Sequence, residues 1–245
     1  QLPTSGSLGR LKSYWQACEG PPHNIQLVPI IGYLWSRSKC KCCGRMRTPR
    51  IMLVEISTSL LFTITYLRFG FSPETLLLNA TCALLIIIAV IDIEHGLILN
   101  RIMLPSLITL LLLAPFLPHI GISRPLWGNS SSLVSLTNSL IAGGGAFLVF
   151  LTISLIFPQS IGDGDPKLAG LVGLMVGFPE VLFALWGAVI SGGIVCSLLI
   201  VLHKKKMDDT IPFGTFLSLG GIVVMLARPE IIRAYQVIVN THHGS

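Results

Sequence analysis

The chain has 245 residues, of which 52% are hydrophobic and 11% charged. An ordinary soluble domain carries about 25% charge, so one water-facing core could not hide this much apolar surface. The net charge of +6 is dispersed over several loops without interleaved aromatics, which argues against a nucleic-acid surface.

Residues 1–50 come first and differ from the rest. Pro3, Gly6, Gly9, Gly20, Pro21, Pro22 and Pro29 forbid a long helix there, which predicts a compact irregular lobe on the headgroups. Cys40 and Cys43 form a CxxC followed by Gly44, a spacing that turns two thiolates toward one ion, with Cys18 as a third candidate zinc ligand. A closed structural zinc site wants four ligands. His23 or Cys42 would complete the shell, Cys42 only with strain beside Cys43; reduced thiols without metal are the alternative. The stretch up to Ile25 has no apolar core of a signal peptide.

From Ile51 to Ala227 the apolar residues fall into runs of membrane-spanning length, about 20 residues being what the hydrocarbon core demands. Continuous runs such as Leu84 to Ile91 lack the alternation of a membrane β-strand. The spacing predicts helices over about 51–69, 74–92, 102–118, 133–157, 167–178, 180–202 and 211–228, the fifth too short to cross unless it is deeply buried. Cys82 and Cys196 fall inside these helices and read as packing residues. The fold class is therefore all-α: a polytopic membrane helix bundle over 51–228, a small irregular cysteine-containing lobe over 1–50, and a polar tail over 229–245. His242 and His243 in that tail carry no metal argument.

Orientation follows from the basic residues, because cytoplasmic loops retain positive charge. With the N-terminal segment cytoplasmic, that side holds Arg10, Lys12, Arg37, Lys39, Lys41, Arg45, Arg47, Arg50, Arg101, Lys167, Lys204, Lys205 and Lys206, against Arg68, Arg124, Arg228 and Arg233 on the other. The asymmetry decides the topology.

Carboxylates at a membrane edge are costly and call for a reason. Asp92 closes the second predicted helix in Ala89-Val90-Ile91-Asp92-Ile93-Glu94-His95; Asp163 and Asp165 lie in Ile161-Gly162-Asp163-Gly164-Asp165-Pro166-Lys167; Glu55 lies one turn inside the first. Two carboxylates from different helices at one depth suit an aspartic protease, where one ionised Asp takes a proton from water and a protonated partner polarises the scissile carbonyl. Gly162 and Gly164 let the backbone approach a substrate strand, and Pro166 can open the next helix. On spacing alone, simple helix termination paired with Lys167 or Arg101 stays open as the other reading.

A set of ordered motifs bears on that choice. Gly162-Asp163-Gly164-Asp165-Pro166-Lys167-Leu168-Ala169 resembles the GxGDxKLxA pattern of the type IV prepilin peptidases, a family of GxGD membrane aspartic proteases. Ile91-Asp92-Ile93-Glu94-His95, Pro49-Arg50 with Leu53-Val54-Glu55, Val28-Pro29 and Tyr33-Leu34 ahead of Cys40 and Cys43, and Ile211-Pro212-Phe213-Gly214 with Gly220 follow the same family order.

The resemblance implies that Asp92 and Asp165 are the catalytic pair, that Asp163 holds a variable position, and that Gly162, Gly164 and Lys167 line a substrate-binding loop. It implies cleavage of the leader peptides of prepilins and pseudopilins in a bacterial inner (plasma) membrane, with the active site facing the cytoplasm. Many members also N-methylate the new N-terminus from S-adenosylmethionine, and Glu55 and the cysteine lobe fall in the region associated with that step. An Asp pair needs only water and no Lewis acid, so no cofactor is expected for proteolysis.

Three departures stand out: Trp15 in place of the first family cysteine, Leu99-Asn100 in place of a Pro-Asp pair, and only Leu2-Pro3 where the family's first helix ends, which suggests a fragment or a seven-span variant. Two other classes of function are a membrane carrier using its carboxylates as an ion or proton path and a non-catalytic assembly factor. A carrier should show repeated halves with interrupted helices, and none is evident.

Overall fold

A computed structural model describes residues 49–124, 131–156, 162–202 and 212–233, with side chains from Leu53 onward. The expected lobe over 1–50, with its candidate ligands Cys18, Cys40 and Cys43, lies outside the described residues but for the helical backbone of 49 and 50. Seven α-helices occur among the described residues: α1 (Pro49–Phe69), α2 (Pro73–His95), α3 (Asn100–Leu113), α4 (Ser132–Ile156), α5 (Asp165–Val176), α6 (Glu180–Val201) and α7 (Phe213–Leu226); a 3-10 segment, Ala114–Ile120, continues α3. No strand occurs among those residues. The chain divides into two compact units, 1–64 and 65–245, with the boundary inside α1; α2 to α7 belong to the second.

Among the described residues, four helical segments are long and apolar enough to cross a membrane: α2, Asn100–Ile120, α4 and α6. α6 makes the environment plain, since Phe183, Trp186 and Ile190 on it are more than half exposed. Apolar faces this continuous are stable against lipid and a liability in water.

Local chemistry sets the ends of α2. The hydroxyl of Ser72 accepts the Thr75 N–H at 3.1 Å and Pro73 occupies the first turn, while Gly96, with φ 59°, closes the far end and donates its N–H to the Asp92 carbonyl at 2.7 Å. Only an end cap in left-handed conformation terminates the helix this sharply, and glycine adopts it without penalty. Asp92 is thereby held in the last turn.

α5 departs from the rest. Its twelve residues rise about 18 Å, well short of a bilayer core of about 30 Å, yet ten of them are buried, so it is an internal helix. Its last carbonyls then end among largely buried residues and call for protein donors. Arg124 supplies them: Nη1 donates to the Leu174 carbonyl at 2.7 Å and to the Ser139 hydroxyl, and Nη2 to the Met175 carbonyl. Asn138 on α4 holds Phe178, two residues past the end of α5, donating to its carbonyl at 2.9 Å and accepting its N–H at 2.7 Å. Small residues let α4 come close enough to do this. A β-carbon at Gly173 would stand 2.5 Å from the Ala142 carbonyl oxygen, so any larger residue would drive the helices apart.

Candidate active site

The C-terminal turn of α2, the N-terminus of α5 and the N-terminus of α7 meet at one end of the 65–245 unit. Asp92 and Asp165 are both buried there, at 4% and 5% exposure, and Asp165 lies within reach of the Asp92 charge. Burial of two carboxylates at the edge of an apolar bundle is costly unless each is hydrogen-bonded. Each has such support.

Asp92 is held from α7. The Thr215 backbone N–H donates to Asp92 Oδ2 at 2.7 Å and the Thr215 hydroxyl reaches the same oxygen at 3.1 Å. Thr215 is the third residue of α7, where a helix has an orphan N–H to offer. Asp165 is held by its own turn: its Oδ2 accepts the Gly162 N–H at 3.0 Å, while the Asp165 N–H donates to the Gly162 carbonyl at 3.0 Å. This reciprocal pair fixes the carboxyl at the first position of α5 as a capping box fixes a helix start. In both residues the protein ties Oδ2, and among the described residues no hydrogen bond reaches Oδ1.

Ile98, in the link between α2 and α3, is the spacer that brings the two sides together. A β-carbon at Gly164 would fall 2.5 Å from Ile98 Cβ, and one at Gly214 would fall 3.1 Å from Ile98 Cδ1 and 3.0 Å from Asp92 Oδ2. The two glycines therefore let the Asp165 turn and the start of α7 close over the same side chain beside Asp92. Lys167, one turn into α5, donates to Asn100 Oδ1 at 2.8 Å, which pins the start of α5 to the start of α3. Asn100 is one of the two residues that stand where the family pattern has a Pro-Asp pair, and here it serves as the partner of Lys167.

Of the other residues singled out in the sequence, Asp163 is exposed and Gly162 borders Asp165. Glu55 lies half-buried on α1 within the 1–64 unit. No group of three His, Cys, Asp or Glu side chains that could hold a metal occurs among the described residues. Cys82 is a buried and Cys196 a half-buried free thiol. Sequence reasoning did not find Thr215 or Ile98. The only signal for Thr215 was its place directly after the Ile211-Pro212-Phe213-Gly214 motif.

Comparison with known proteins agrees with the motifs. Residues 79–197 match the model described as the type IV leader peptidase family, and residues 1–69 match the bacterial Peptidase A24 N-terminal domain. A prepilin leader peptidase/N-methyltransferase of Bacillus subtilis is 29% identical over 210 residues, covering 86% of this chain and 79% of that protein. Proteins of the same name from Legionella pneumophila and Stutzerimonas stutzeri are 28% and 25% identical, covering 91% and 89% of this chain and 75% and 73% of their own lengths. No solved structure matches.

Proposed function

We infer the function from one premise: the chain belongs to the type IV leader peptidase family. It is a membrane enzyme that removes the leader peptides of type IV prepilins. The reading that Asp92 and Asp165 are the catalytic pair is carried by one observation: two buried carboxylates from different helices, each tied through Oδ2, sit beside a glycine-lined turn at one end of the unit.

The chemistry follows from that arrangement. Two close carboxylates share one proton, because both cannot be ionised side by side. The ionised partner takes a proton from water as the water oxygen bonds to the scissile carbonyl carbon. The protonated partner donates to the carbonyl oxygen, giving a neutral tetrahedral diol. In the collapse the protonated carboxyl gives its proton to the leaving nitrogen as the C–N bond breaks, and the other carboxylate takes a proton from the diol, which restores the singly protonated pair. Gly162 and Gly164 present backbone to an extended substrate, and Lys167 offers a cation at the rim. The reaction needs only water and the two carboxyl groups.

The relatives' name also carries N-methyltransferase activity, for which S-adenosylmethionine is the donor we propose. Of the residues proposed for that step, Glu55 lies half-buried on α1; the cysteines proposed for zinc lie outside the described residues, and no step of proteolysis runs through either. No observation favours the carrier or the non-catalytic assembly reading over proteolysis. We place the enzyme in the inner (plasma) membrane with Asp92 and Asp165 toward the cytoplasm, on the distribution of Lys and Arg. Cysteine labels at Ser130 and Lys205 test that orientation: they should react from opposite sides of the membrane, and labelling of both from one side would reverse or break the topology.

The test of function is cleavage of a prepilin by the purified chain in detergent, read by mass spectrometry of the released leader. Cleavage should be lost in Asp92→Asn and in Asp165→Asn and persist in Asp163→Asn. Cleavage that survives in Asp165→Asn, or vanishes only in Asp163→Asn, would mean that the wrong carboxylate has been assigned.

A further inference from the structure

The link between α2 and α3, residues 96–99, carries no acid or base, yet it is fixed at both ends beside the carboxylate pair. The Gly96 N–H donates to the Asp92 carbonyl at 2.7 Å, and the Leu99 carbonyl accepts the N–H groups of Ile102 and Met103 at 3.0 and 3.1 Å as α3 begins. Asn100, next in the chain, accepts from Lys167 of α5 at 2.8 Å. Leu97 and Leu99 are exposed and Ile98 between them is half-buried, the alternation of an extended segment with one side chain turned inward. Bonds on both sides leave Ile98 little freedom to move away from what it touches.

It touches two glycines. A β-carbon at Gly164 would lie 2.5 Å from Ile98 Cβ and 3.1 Å from its Cγ1 and Cδ1, and one at Gly214 would lie 3.1 Å from the same Cδ1; carbon atoms pack at about 3.5–4.0 Å. Neither glycine is there for its conformational freedom. Gly164 has φ −85° and ψ −27°, and Gly214 lies within α7, backbone that any residue adopts. Their missing side chains answer to the bulk of Ile98. Each glycine also stands directly before a residue that fixes a carboxyl: Gly164 before Asp165 itself, and Gly214 before Thr215, whose N–H holds Asp92 Oδ2 at 2.7 Å. The Cγ1–Cδ1 arm of Ile98 therefore spans the gap between the mountings of the two carboxyls.

We propose that Ile98 is a positioning residue for proteolysis: the reach of that arm sets how closely the Asp165 turn and the start of α7 approach, and so how strongly Asp92 and Asp165 share a proton. This rests on the reading that these two are the reacting pair. A shorter side chain leaves a gap that the surroundings close only in part, which moves one carboxyl relative to the other. A misplacement of about 1 Å can cost 10²-fold in rate. Because Ile98 acts through the carboxyls, its effect belongs to kcat and not to KM.

The test is the pH dependence of prepilin cleavage by the purified full chain in detergent, for the unaltered chain and for Ile98→Leu, Ile98→Val and Ile98→Ala. The curve for kcat is bell-shaped, with a width that belongs to the pair. Ile98→Val loses Cδ1 and should lower kcat about threefold; Ile98→Ala loses the whole arm and should lower it about tenfold. The bell should widen in Ile98→Ala as the two mountings close in and the carboxyls couple more strongly. Ile98→Leu keeps both the volume and a δ-carbon and should retain most of the rate. KM should stay within about twofold throughout. A bell of unchanged width in Ile98→Ala, an equal loss in the Leu and Ala variants, or a change confined to KM would overturn the proposal. Thermal unfolding of each variant separates these outcomes from loss of fold, with Ile98→Val the mildest change. Cleavage that persists in Asp92→Asn or Asp165→Asn would remove the pair and the spacer with it, whereas loss there beside an unaffected Ile98→Ala would remove the spacer alone.

Discussion

At one end of the 65–245 unit Asp92 and Asp165 each use a single carboxylate oxygen to hold their place; at the other Arg124 uses both terminal nitrogens to hold a helix. All three residues are buried, and burial of charge is unfavourable in each case. The difference lies in what remains after anchoring. Asp92 and Asp165 each keep an oxygen that no hydrogen bond reaches among the described residues, whereas the main bonds of Arg124 go to backbone carbonyls that would otherwise be orphaned. Bonds spent on the end of a helix point to architecture; two buried carboxylates with an oxygen apiece left over fit the proposed chemistry.

The contrast can be broken most severely at the carboxylates. Asn at Asp92 or at Asp165 preserves shape and removes the acid or the base, a loss of roughly 10²–10⁴ in rate for a general acid–base group. The thermal midpoint should hold or rise, since a desolvated charge is removed. Cleavage rates measured alongside unfolding curves check this, and a large drop in stability would recast the pair as structural. Asp163→Asn should leave the rate within about twofold, as a surface change away from such features does.

At the opposite end the effect should fall on stability. Arg124→Met leaves the Leu174 and Met175 carbonyls unmet in an apolar setting, at roughly 1–3 kcal/mol for each unsatisfied group. Thermal unfolding in detergent should show a clear loss, with the catalytic rate per folded molecule much less affected. Full stability in Arg124→Met would mean that α5 ends in water and is not internal.

A smaller effect should sharpen the account of how Asp92 is aimed. Thr215→Val keeps volume and the backbone N–H but removes the hydroxyl, so kcat should fall by about tenfold, the worth of one hydrogen bond to a charged group. KM should hardly move, because Thr215 acts through Asp92. Thr215→Ser should restore most of the rate. An equal loss in Val and Ser variants, or a change confined to KM, would contradict a positioning role.

Much of this was legible in the sequence because lipid imposes simple rules. The apolar runs predict all seven helices to within a few residues, and the fifth, read as too short to cross unless deeply buried, is the internal α5. The third differs: the run over 102–118 is α3 up to Leu113 and then a 3-10 segment, where Pro115 and Pro118 remove the N–H groups that would continue an α-helix. Asp92 and Asp165 stood out because a carboxylate at an apolar edge is costly. Arg124 read as one basic loop residue among four, and its burial under α5 was not visible. The signal was indirect: a helix of twelve residues that ends inside the bundle needs donors for its carbonyls, and Arg124 is a cation in the link before α4. Thr215 was hidden for a different reason. Its shorter bond to Asp92 is made by a backbone N–H, which every residue but proline possesses and no sequence pattern displays.

Asp92 and Asp165 are proposed to work as one unit, and a double-mutant cycle on cleavage measures that directly. Single-turnover rates would be compared for the unaltered chain, Asp92→Asn, Asp165→Asn and the double variant, with folding verified for each. Groups that act together lose nearly everything at the first change. The double variant should therefore be no slower than the slower single variant. Losses that multiply, or a single variant that retains substantial cleavage, would contradict a shared-proton pair and leave the two carboxylates as independent helix-end residues.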